Sequence, residues 1–303
     1  MRPVRLLVAY IAIVLLGGAM VAPWLYWSLQ SLAAVFPALE ELADNPFRRF
    51  LHRSLLILAA VGLWPLLRAS GLDSWRDLGF SGPIHRAGRL LAGFGLGFAM
   101  LAVVALAAVS AGARGLNTDL SLARLGGRLL GAGVTAVVVS VLEEILFRGA
   151  LFGILRKSCR WQAALVWSSA IYAMLHFFSR PDTPSEITWT SGLTLLPAML
   201  RGFIDLESLV PGVFSLMLVG ALLALAYQRT GNLYFSIGLH AGWIFWLRFY
   251  AVITQPAADI PIRLWGTGRL IDGWMVLLPL SLALIALLHW PLPETDRDDP
   301  TRQ

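Results

Sequence analysis

Residues 134–152 of the chain read VTAVVVSVLEEILFRGALF, and this stretch decides the fold. It is apolar over a length close to the ~20 residues that an α-helix needs to cross a bilayer. Inside it lie two consecutive carboxylates, Glu143 and Glu144, with Arg148 one helical turn further on. A charge at the bilayer centre costs about 2.5–3.5 kcal/mol even on insertion scales. Three charged residues within one membrane span therefore need a structural or a chemical reason.

The composition of the whole chain is that of a membrane protein. Of the 303 residues, 57% are hydrophobic and 14% are charged, and the mean hydropathy is +0.71. An ordinary soluble domain is about 45–50% apolar and about 25% charged, so a soluble enzyme is excluded. The net charge of +6 comes from arginines dispersed between the apolar runs. Such arginines are typical of residues that flank membrane spans, and we predict no nucleic-acid partner.

Apolar runs separated by segments rich in Arg, Asp and Pro predict about eight membrane spans. The runs lie near residues 6–29, 51–67, 87–112, 129–155, 161–178, 210–227, 232–253 and 271–290. The predicted fold is all-α, a polytopic transmembrane helical bundle formed by a single domain over residues 1–292. The charged residues 293–303 are predicted to be disordered.

Two further features concern helix contacts and the segment between residues 180 and 209. Apolar residues in that segment follow helical spacing, which predicts a helix lying in the membrane interface, with a loop covering the site as the alternative. Gly93, Gly95 and Gly97 are expected to allow close contact between helices. Trp243 is expected to be an interface or packing residue.

Two histidines are embedded in the apolar runs of other predicted spans. His176 ends the run IYAMLHFF at residues 171–178, and His240 lies inside SIGLHAGW at residues 236–243. A buried carboxylate can take a proton from water, and imidazoles can bind a metal or a developing oxyanion. With the double glutamate, the two histidines supply the parts of a hydrolytic site. The structural alternative is a charge cluster that only fixes helix packing.

The two glutamates are expected to have different partners. Glu144 and Arg148 are four residues apart on one helix face, so an ion pair would offset part of the cost of burying either. Glu143 is rotated by about 100° and cannot fully share that arrangement. The sequence contains no His-Glu-x-x-His, no Gly-x-Gly-Asp and no Gly-x-Ser-x-Gly, which are motifs of other hydrolytic sites.

At these residues the sequence resembles the CPBP family, which includes glutamate-type CAAX prenyl endopeptidases, bacteriocin-processing proteins and Abi proteins. The family motif Glu-Glu-x-x-x-Arg matches residues 143–148. The motif Phe-x-x-x-His matches Tyr172 to His176, with tyrosine in place of phenylalanine. The motif His-x-x-x-Asn/Asp begins at His240 but ends at Ile244, which can neither ligate a metal nor donate a hydrogen bond from its side chain.

The resemblance implies an intramembrane endopeptidase, a hydrolase in which Glu143 activates a water molecule. Its catalytic core would lie at about 127–250. Glu144 and Arg148 would support that glutamate, and His176 and His240 would bind metal or stabilise the oxyanion. The implied cofactor is a divalent metal held by Glu143, His176 and His240, with zinc as the candidate. Activation of water by glutamate alone stays open.

The resemblance also implies the surroundings and partners of the protein. We expect an integral, multi-pass protein of a bacterial inner membrane, in contact with membrane lipid. Its substrate would be a peptide or a membrane-protein segment, and prenylated substrates follow from the family alone.

Three other functions compete with this interpretation. Ile244 favours a non-catalytic family member, a partner-binding or immunity-type membrane protein that keeps the charged cluster for structure. Buried Glu and His also form proton relays in transporters, but the chain lacks paired repeats with broken helices in corresponding positions. Ser168 and Ser169 beside His176 are a weak indication of a serine protease, because small hydroxyl residues are common at helix contacts.

Overall fold

The computed structural model describes residues 2–80, 86–117, 121–179, 181–204, 206–257, 262–266 and 273–289. The α-helices in these ranges are α1 (Arg2–Ala33), α2 (Glu40–Ala43), α3 (Phe47–Ala69), α4 (Arg86–Ser110), α5 (Leu122–Glu144), α6 (Gly153–Arg156), α7 (Trp161–Leu175), α8 (Ser191–Met199), α9 (Leu206–Thr230), α10 (Tyr234–Ile253), α11 (Ile262–Trp265) and α12 (Leu277–Leu288). The other elements are a π-helix (Ile145–Phe152), 3-10 turns (Pro37–Leu39, Leu200–Phe203 and Trp274–Val276) and the strands β1 (Arg114–Leu116) and β2 (Thr254–Pro256). The predicted disordered tail, residues 293–303, lies outside the described residues.

The prediction of a polytopic helical membrane protein is confirmed. Six helices in the described ranges are long and apolar enough to cross a membrane: Pro3–Ala33, Phe47–Ala69, Arg86–Ser110, Leu125–Arg156, Leu209–Thr230 and Tyr234–Ile253. Two of the eight predicted spans are shorter helices, α7 with 15 residues and the run Trp274–Leu288. A helix of 15 residues rises only about 22 Å, less than the ~30 Å of the hydrocarbon core. The predicted number of eight full spans is therefore approximate.

The helices cluster into two compact units. Unit 1 comprises Met1–Asp73 and Phe177–Asp205, and unit 2 comprises Ser74–His176 and Leu206–Gln303. The division into units leaves the single-domain organisation over residues 1–292 a prediction.

Unit 1 has an apolar core formed by α1, α3 and α8. Its buried members are Ala19, Ala22, Phe47, Phe50, Leu51, Leu195 and Met199. Ser54 of α3 donates a hydrogen bond of 2.7 Å to the carbonyl of Gly18 in α1. A Cβ atom at Gly18 would meet the backbone of α3, and one at Gly192 of α8 would meet that of α1. The helix predicted between residues 180 and 209 is therefore present as α8, packed on α1.

Unit 2 is organised around the close packing of α4 against α10. Gly93 and Gly97 lie four residues apart on α4, and Gly238 and Gly242 lie four apart on α10. A Cβ atom at any of these four positions would meet the backbone of the opposite helix, whereas Gly95 has open space around it. The expected close contact is confirmed for Gly93 and Gly97 and is wrong for Gly95. This contact fixes the helix that carries the second sequence-predicted histidine.

A short sheet that the sequence did not predict connects the ends of the same two helices. β1, which follows α4, pairs antiparallel with β2, which follows α10, and Arg114 lies opposite Pro256. The buried Arg114 side chain donates to the hydroxyl of Thr254 at 2.9 Å and lies over the ring of Tyr250. Strands of three residues show too little alternation to be predicted by pattern.

Candidate active site

The two glutamates lie where α5 passes into the π-helix. Glu143 and Glu144 are the last residues of α5, and Arg148 is in the middle of the π-helix Ile145–Phe152. π-helical turns are rare and often occur at functional sites. The sequence pattern gave no signal for this change of helix type.

Arg148 and Glu144 form the predicted ion pair in the interior of unit 2. Nη1 of Arg148 donates to Oε1 of Glu144 at 2.8 Å, and the two side chains are only 2% and 0% exposed. Nη2 of Arg148 donates to the carbonyl of Gly220 at 3.4 Å. The guanidinium carbon of Arg148 also lies 4.7 Å from the centre of the Tyr172 ring. These contacts supply the partners that a buried charge requires.

His240 lies between the two glutamates. Its Nδ1 atom is 3.1 Å from Oε1 of Glu144, and its Nε2 atom is 3.7 Å from Oε2 of Glu143. Because an ionised carboxylate only accepts, the hydrogen bond to Glu144 requires a proton on Nδ1. In the neutral imidazole, Nε2 then carries a lone pair that faces the Glu143 carboxylate.

The two glutamate side chains differ in solvent exposure and in the groups that surround them. The Glu144 side chain is completely buried, and its Oε1 receives hydrogen bonds from both Arg148 and His240. The Glu143 side chain is 27% exposed, and Oε2 of each glutamate has no hydrogen-bond partner among the described residues. Because Glu143 is the partly exposed one of the two, it is the glutamate that a water molecule or a substrate can reach.

Glu143 opens onto a cavity of about 200 Å³. The cavity also brings Tyr172, His176 and His240 together, while most of its remaining wall is apolar. Glu144 and Arg148 do not line it. Of the five sequence-predicted site residues, three thus face the cavity, and the other two form the ion pair that positions His240.

The prediction for His176 needs a correction. The sequence indicated a histidine embedded in an apolar helix, but α7 ends at Leu175 and the His176 side chain is exposed. Its Nδ1 atom is 2.8 Å from the carbonyl of Tyr172, to which it donates, and this leaves Nε2 free. The aromatic residues after His176 continue the apolar run in the sequence, although the helix itself has already ended.

The sequence did not identify Trp243 and Arg248 as residues of the cavity wall, whereas Ile244 is the last position of the third motif. Trp243, Ile244 and Arg248 face the cavity from α10 together with His240. Their spacing of three, four and eight residues from His240 puts them on one helix face, which is the signal that could have identified them. Trp243 was expected to be a packing residue, and it is buried. Its indole Nε1, however, has no partner in the described part of the chain.

Glu143, His176 and His240 of the cavity wall are the predicted metal ligands. Nowhere in the described ranges do three or more His, Cys, Asp and Glu side chains form a group that could hold a metal ion. The Nδ1 atom of His176 is bonded to Tyr172 and that of His240 to Glu144, so each histidine has only Nε2 left to offer. A histidine whose Nδ1 is bonded in this way can still bind a metal through Nε2, so this arrangement does not test the predicted set of Glu143, His176 and His240. It stays a prediction, and no step below passes through a metal.

Comparison with known protein families gives a match for the central part of the chain. Residues 126–246 match a family model described as type II CAAX prenyl endopeptidase Rce1-like. The matched segment includes both glutamates, Arg148, His176 and His240. No curated protein and no solved structure matches the chain.

Proposed function

We propose that this chain hydrolyses peptide bonds with a water molecule activated by Glu143. Through residues 126–246 the chain belongs to the CAAX protease (CPBP) family. The family is one of intramembrane proteases, and six apolar helices make the chain an integral membrane protein. The observation that carries the proposal is the place of the Glu143 carboxylate, which is partly exposed, lines the cavity and lies 3.7 Å from Nε2 of His240.

Glu144 has a supporting role in this proposal. A general base needs a free lone pair within reach of the proton that it abstracts. Oε1 of Glu144 accepts from Arg148 and His240, and the side chain does not face the cavity. Glu144 and Arg148 are therefore positioning residues that hold the imidazole of His240 in the tautomer with a proton on Nδ1.

The proposed reaction conserves every atom and proton. Glu143 takes a proton from water while the water oxygen adds to the carbonyl carbon of the scissile peptide bond. The resulting oxyanion collapses, the bond from carbon to nitrogen breaks, and Glu143 returns its proton to the leaving amine. The products are a carboxylic acid and an amine, as required for hydrolysis.

The histidines are proposed to bind the oxyanion. Nε2 of His176 and Nε2 of His240 are the imidazole atoms not bonded to protein carbonyl or carboxylate groups. Each becomes a hydrogen-bond donor when the ring is protonated. The ring of Tyr172 lies against His176, with 4.4 Å between ring centres, and restricts its orientation. Donors fixed in this way can stabilise charge that develops in the transition state.

The proposed substrate is defined only as a class of molecule. A cavity beside apolar helices suits a peptide or membrane-protein segment reached from the membrane, and a mostly apolar wall can accept a hydrophobic side chain. Prenylation of that substrate, and residence in a bacterial inner membrane, are proposals from the family resemblance alone.

Cleavage of peptides by the purified protein tests the proposal. The wild type and Glu143→Gln would be reconstituted in lipid nanodiscs, incubated with a peptide library, and analysed by mass spectrometry, with metal content measured in parallel. We expect new peptide ends with the wild type and none with Glu143→Gln. Glu41→Gln is the matched control, because Glu41 is exposed in α2. Equal product from Glu143→Gln would refute the proposed base.

A second function is favoured by one observation, the position of Ile244. This isoleucine faces the cavity where the family motif has an amide or a carboxylate, so a hydrogen-bonding group is missing there. A non-catalytic, partner-binding protein would show no cleavage as wild type but would gain cleavage in Ile244→Asn. An active wild type, with or without a gain in that variant, favours the protease.

A further inference from the structure

Tyr172 is a buried residue that contacts most groups of the candidate site. It lies in α7, is 3% exposed and lines the cavity together with Glu143. Its hydroxyl is hydrogen-bonded to the Glu143 side chain. Because an ionised carboxylate only accepts, the phenolic O–H is the donor. The base of the proposed reaction therefore has a hydrogen-bond partner to which no role has been assigned above.

Aromatic and charged side chains hold the Tyr172 ring in place. The guanidinium carbon of Arg148 lies 4.7 Å from the ring centre, and the Phe147 ring meets it edge to face at 4.9 Å. The imidazoles of His176 and His240 have their ring centres 4.4 and 6.4 Å away. A ring packed on several sides can rotate its O–H bond but can move its oxygen atom only slightly.

A fixed hydroxyl restrains the carboxylate to which it donates. A glutamate side chain is flexible, and its terminal torsion has only a broad preference. A general base must be within hydrogen-bond reach of the proton that it abstracts, and a misplacement of about 1 Å can cost about 10²-fold in rate. The hydrogen bond from α7 to the end of α5 supplies a restraint of this kind.

The hydroxyl is a feature in which this chain departs from the family motifs. The motif that ends at His176 has phenylalanine in place of Tyr172, and the motif that begins at His240 has an amide or a carboxylate in place of Ile244. Both positions line the cavity. The wall has thus lost one polar group at Ile244 and gained another at Tyr172, and the gained group is bonded to Glu143.

We propose that Tyr172 positions Glu143 for proton transfer through the hydrogen bond from its hydroxyl. The inference rests on the proposed function, since it assigns a further residue to the same reaction. Tyr172 is a positioning residue, because it acts on the substrate through Glu143. A tyrosine that served only for packing would be replaced equally well by phenylalanine, which keeps the ring and its contacts.

Tyr172→Phe tests the inference by removing the hydroxyl alone. The cleavage kinetics of this variant and of the wild type would be measured in lipid nanodiscs with one peptide substrate. Tyr10→Phe is the matched control, because the Tyr10 hydroxyl also donates a hydrogen bond, of 2.7 Å, to the carbonyl of Ala59. Tyr10 belongs to unit 1 and does not line the cavity.

We expect kcat to fall by about tenfold to a hundredfold in Tyr172→Phe, as for the loss of a hydrogen bond to a charged group, with KM unchanged. Tyr10→Phe should keep both constants. Binding of the same peptide to Glu143→Gln protein should be unchanged when Tyr172→Phe is added, because the cavity keeps its shape. An unchanged kcat, or a loss that appears in KM or in peptide binding, would overturn the inference.

An infrared measurement without turnover separates this inference from the proposed function. The band of the Glu143 carboxyl group is the one that is present in the wild type and absent in Glu143→Gln. It should shift in Tyr172→Phe, because the group loses a hydrogen bond, and should keep its position in Tyr10→Phe. A shifted band without cleavage by the wild type would contradict the protease function and confirm the hydrogen bond. Cleavage with an unshifted band would overturn the inference alone.

Discussion

In unit 1 the buried polar side chains of the described residues are three serines, Ser54, Ser70 and Ser191. In unit 2 the buried polar side chains include Glu144, Arg148 and His240. Both units pack apolar helices through glycines that approach the backbone of a neighbouring helix. A buried hydroxyl can bond to a nearby carbonyl, whereas a buried charge needs a charged partner and further hydrogen bonds. The difference shows that apolar packing is common to both units and that the costly polar groups mark the part with a candidate active site.

The largest expected effect concerns Glu143 in unit 2. Glu143→Gln should lower the rate of peptide cleavage by about 10²–10⁴, the usual contribution of a general base. The thermal midpoint should stay close to that of the wild type, because glutamine keeps the shape of the side chain and can still accept the hydrogen bond from Tyr172. Steady-state kinetics and a thermal unfolding scan in the same nanodiscs measure the two quantities. If Glu143→Gln destabilises the protein but leaves the cleavage rate per folded molecule unchanged, Glu143 is a structural residue and not the general base.

Arg148 should show the opposite pattern, with stability lost first. Arg148→Met leaves Glu144 as an uncompensated buried charge, for which we expect a loss of about 3–5 kcal/mol in the free energy of unfolding. The double variant Glu144→Leu/Arg148→Met removes both charges and should recover most of that loss. Denaturant titration of the single and double variants provides the measurement. If the double variant is no more stable than the single one, Arg148 does not stabilise the protein by compensating the charge of Glu144.

The glycine contact in unit 2 can be tested with a neighbouring control. Gly97→Ala inserts a methyl group against the backbone of α10 and should cost about 1–3 kcal/mol, as overpacking does. Gly95→Ala enters open space and should be neutral or stabilising, since alanine is the better helix former. Thermal unfolding of both variants measures the difference. Equal effects would show that α4 and α10 do not touch at Gly97.

The smallest effect is expected for a polar group of unit 1. Ser54→Ala removes the hydrogen bond to the Gly18 carbonyl and should cost about 1 kcal/mol of stability. The cleavage rate per folded molecule should not change, because no group of the candidate site is altered. The same kinetic and unfolding assays apply. A drop in rate comparable to that of Glu143→Gln would remove the functional distinction between the units.

The sequence predicts those features that depend on neighbours along one helix. The pairing of Glu144 with Arg148 follows from a spacing of four residues, and it persists although the intervening backbone is π-helical. The positions of the long apolar helices follow from hydropathy in the same way. The motif residues Glu143 and His240 could also be singled out, because ionisable groups in apolar helices are rare.

Other features depend on contacts between distant parts of the chain, and the sequence does not reveal them. The exposure of His176 follows from the end of α7 at Leu175, where the apolar run continues without a break. The hydrogen bond from His240 to Glu144 joins residues 96 positions apart. Whether Gly95 or Gly97 faces α10 depends on how α4 is rotated, and composition does not determine that rotation.

The central claim, that Glu143 delivers water directly to the peptide carbonyl, is tested most directly by isotope labelling. A single turnover of wild-type protein in H₂¹⁸O would be followed by mass spectrometry of the peptide product and of the protein. The account predicts that one ¹⁸O atom enters the new carboxylate of the product, that Glu143 remains unlabelled, and that Glu143→Gln gives no product. A first product without label, or label in the Glu143 carboxylate, would instead indicate a covalent intermediate and contradict the account.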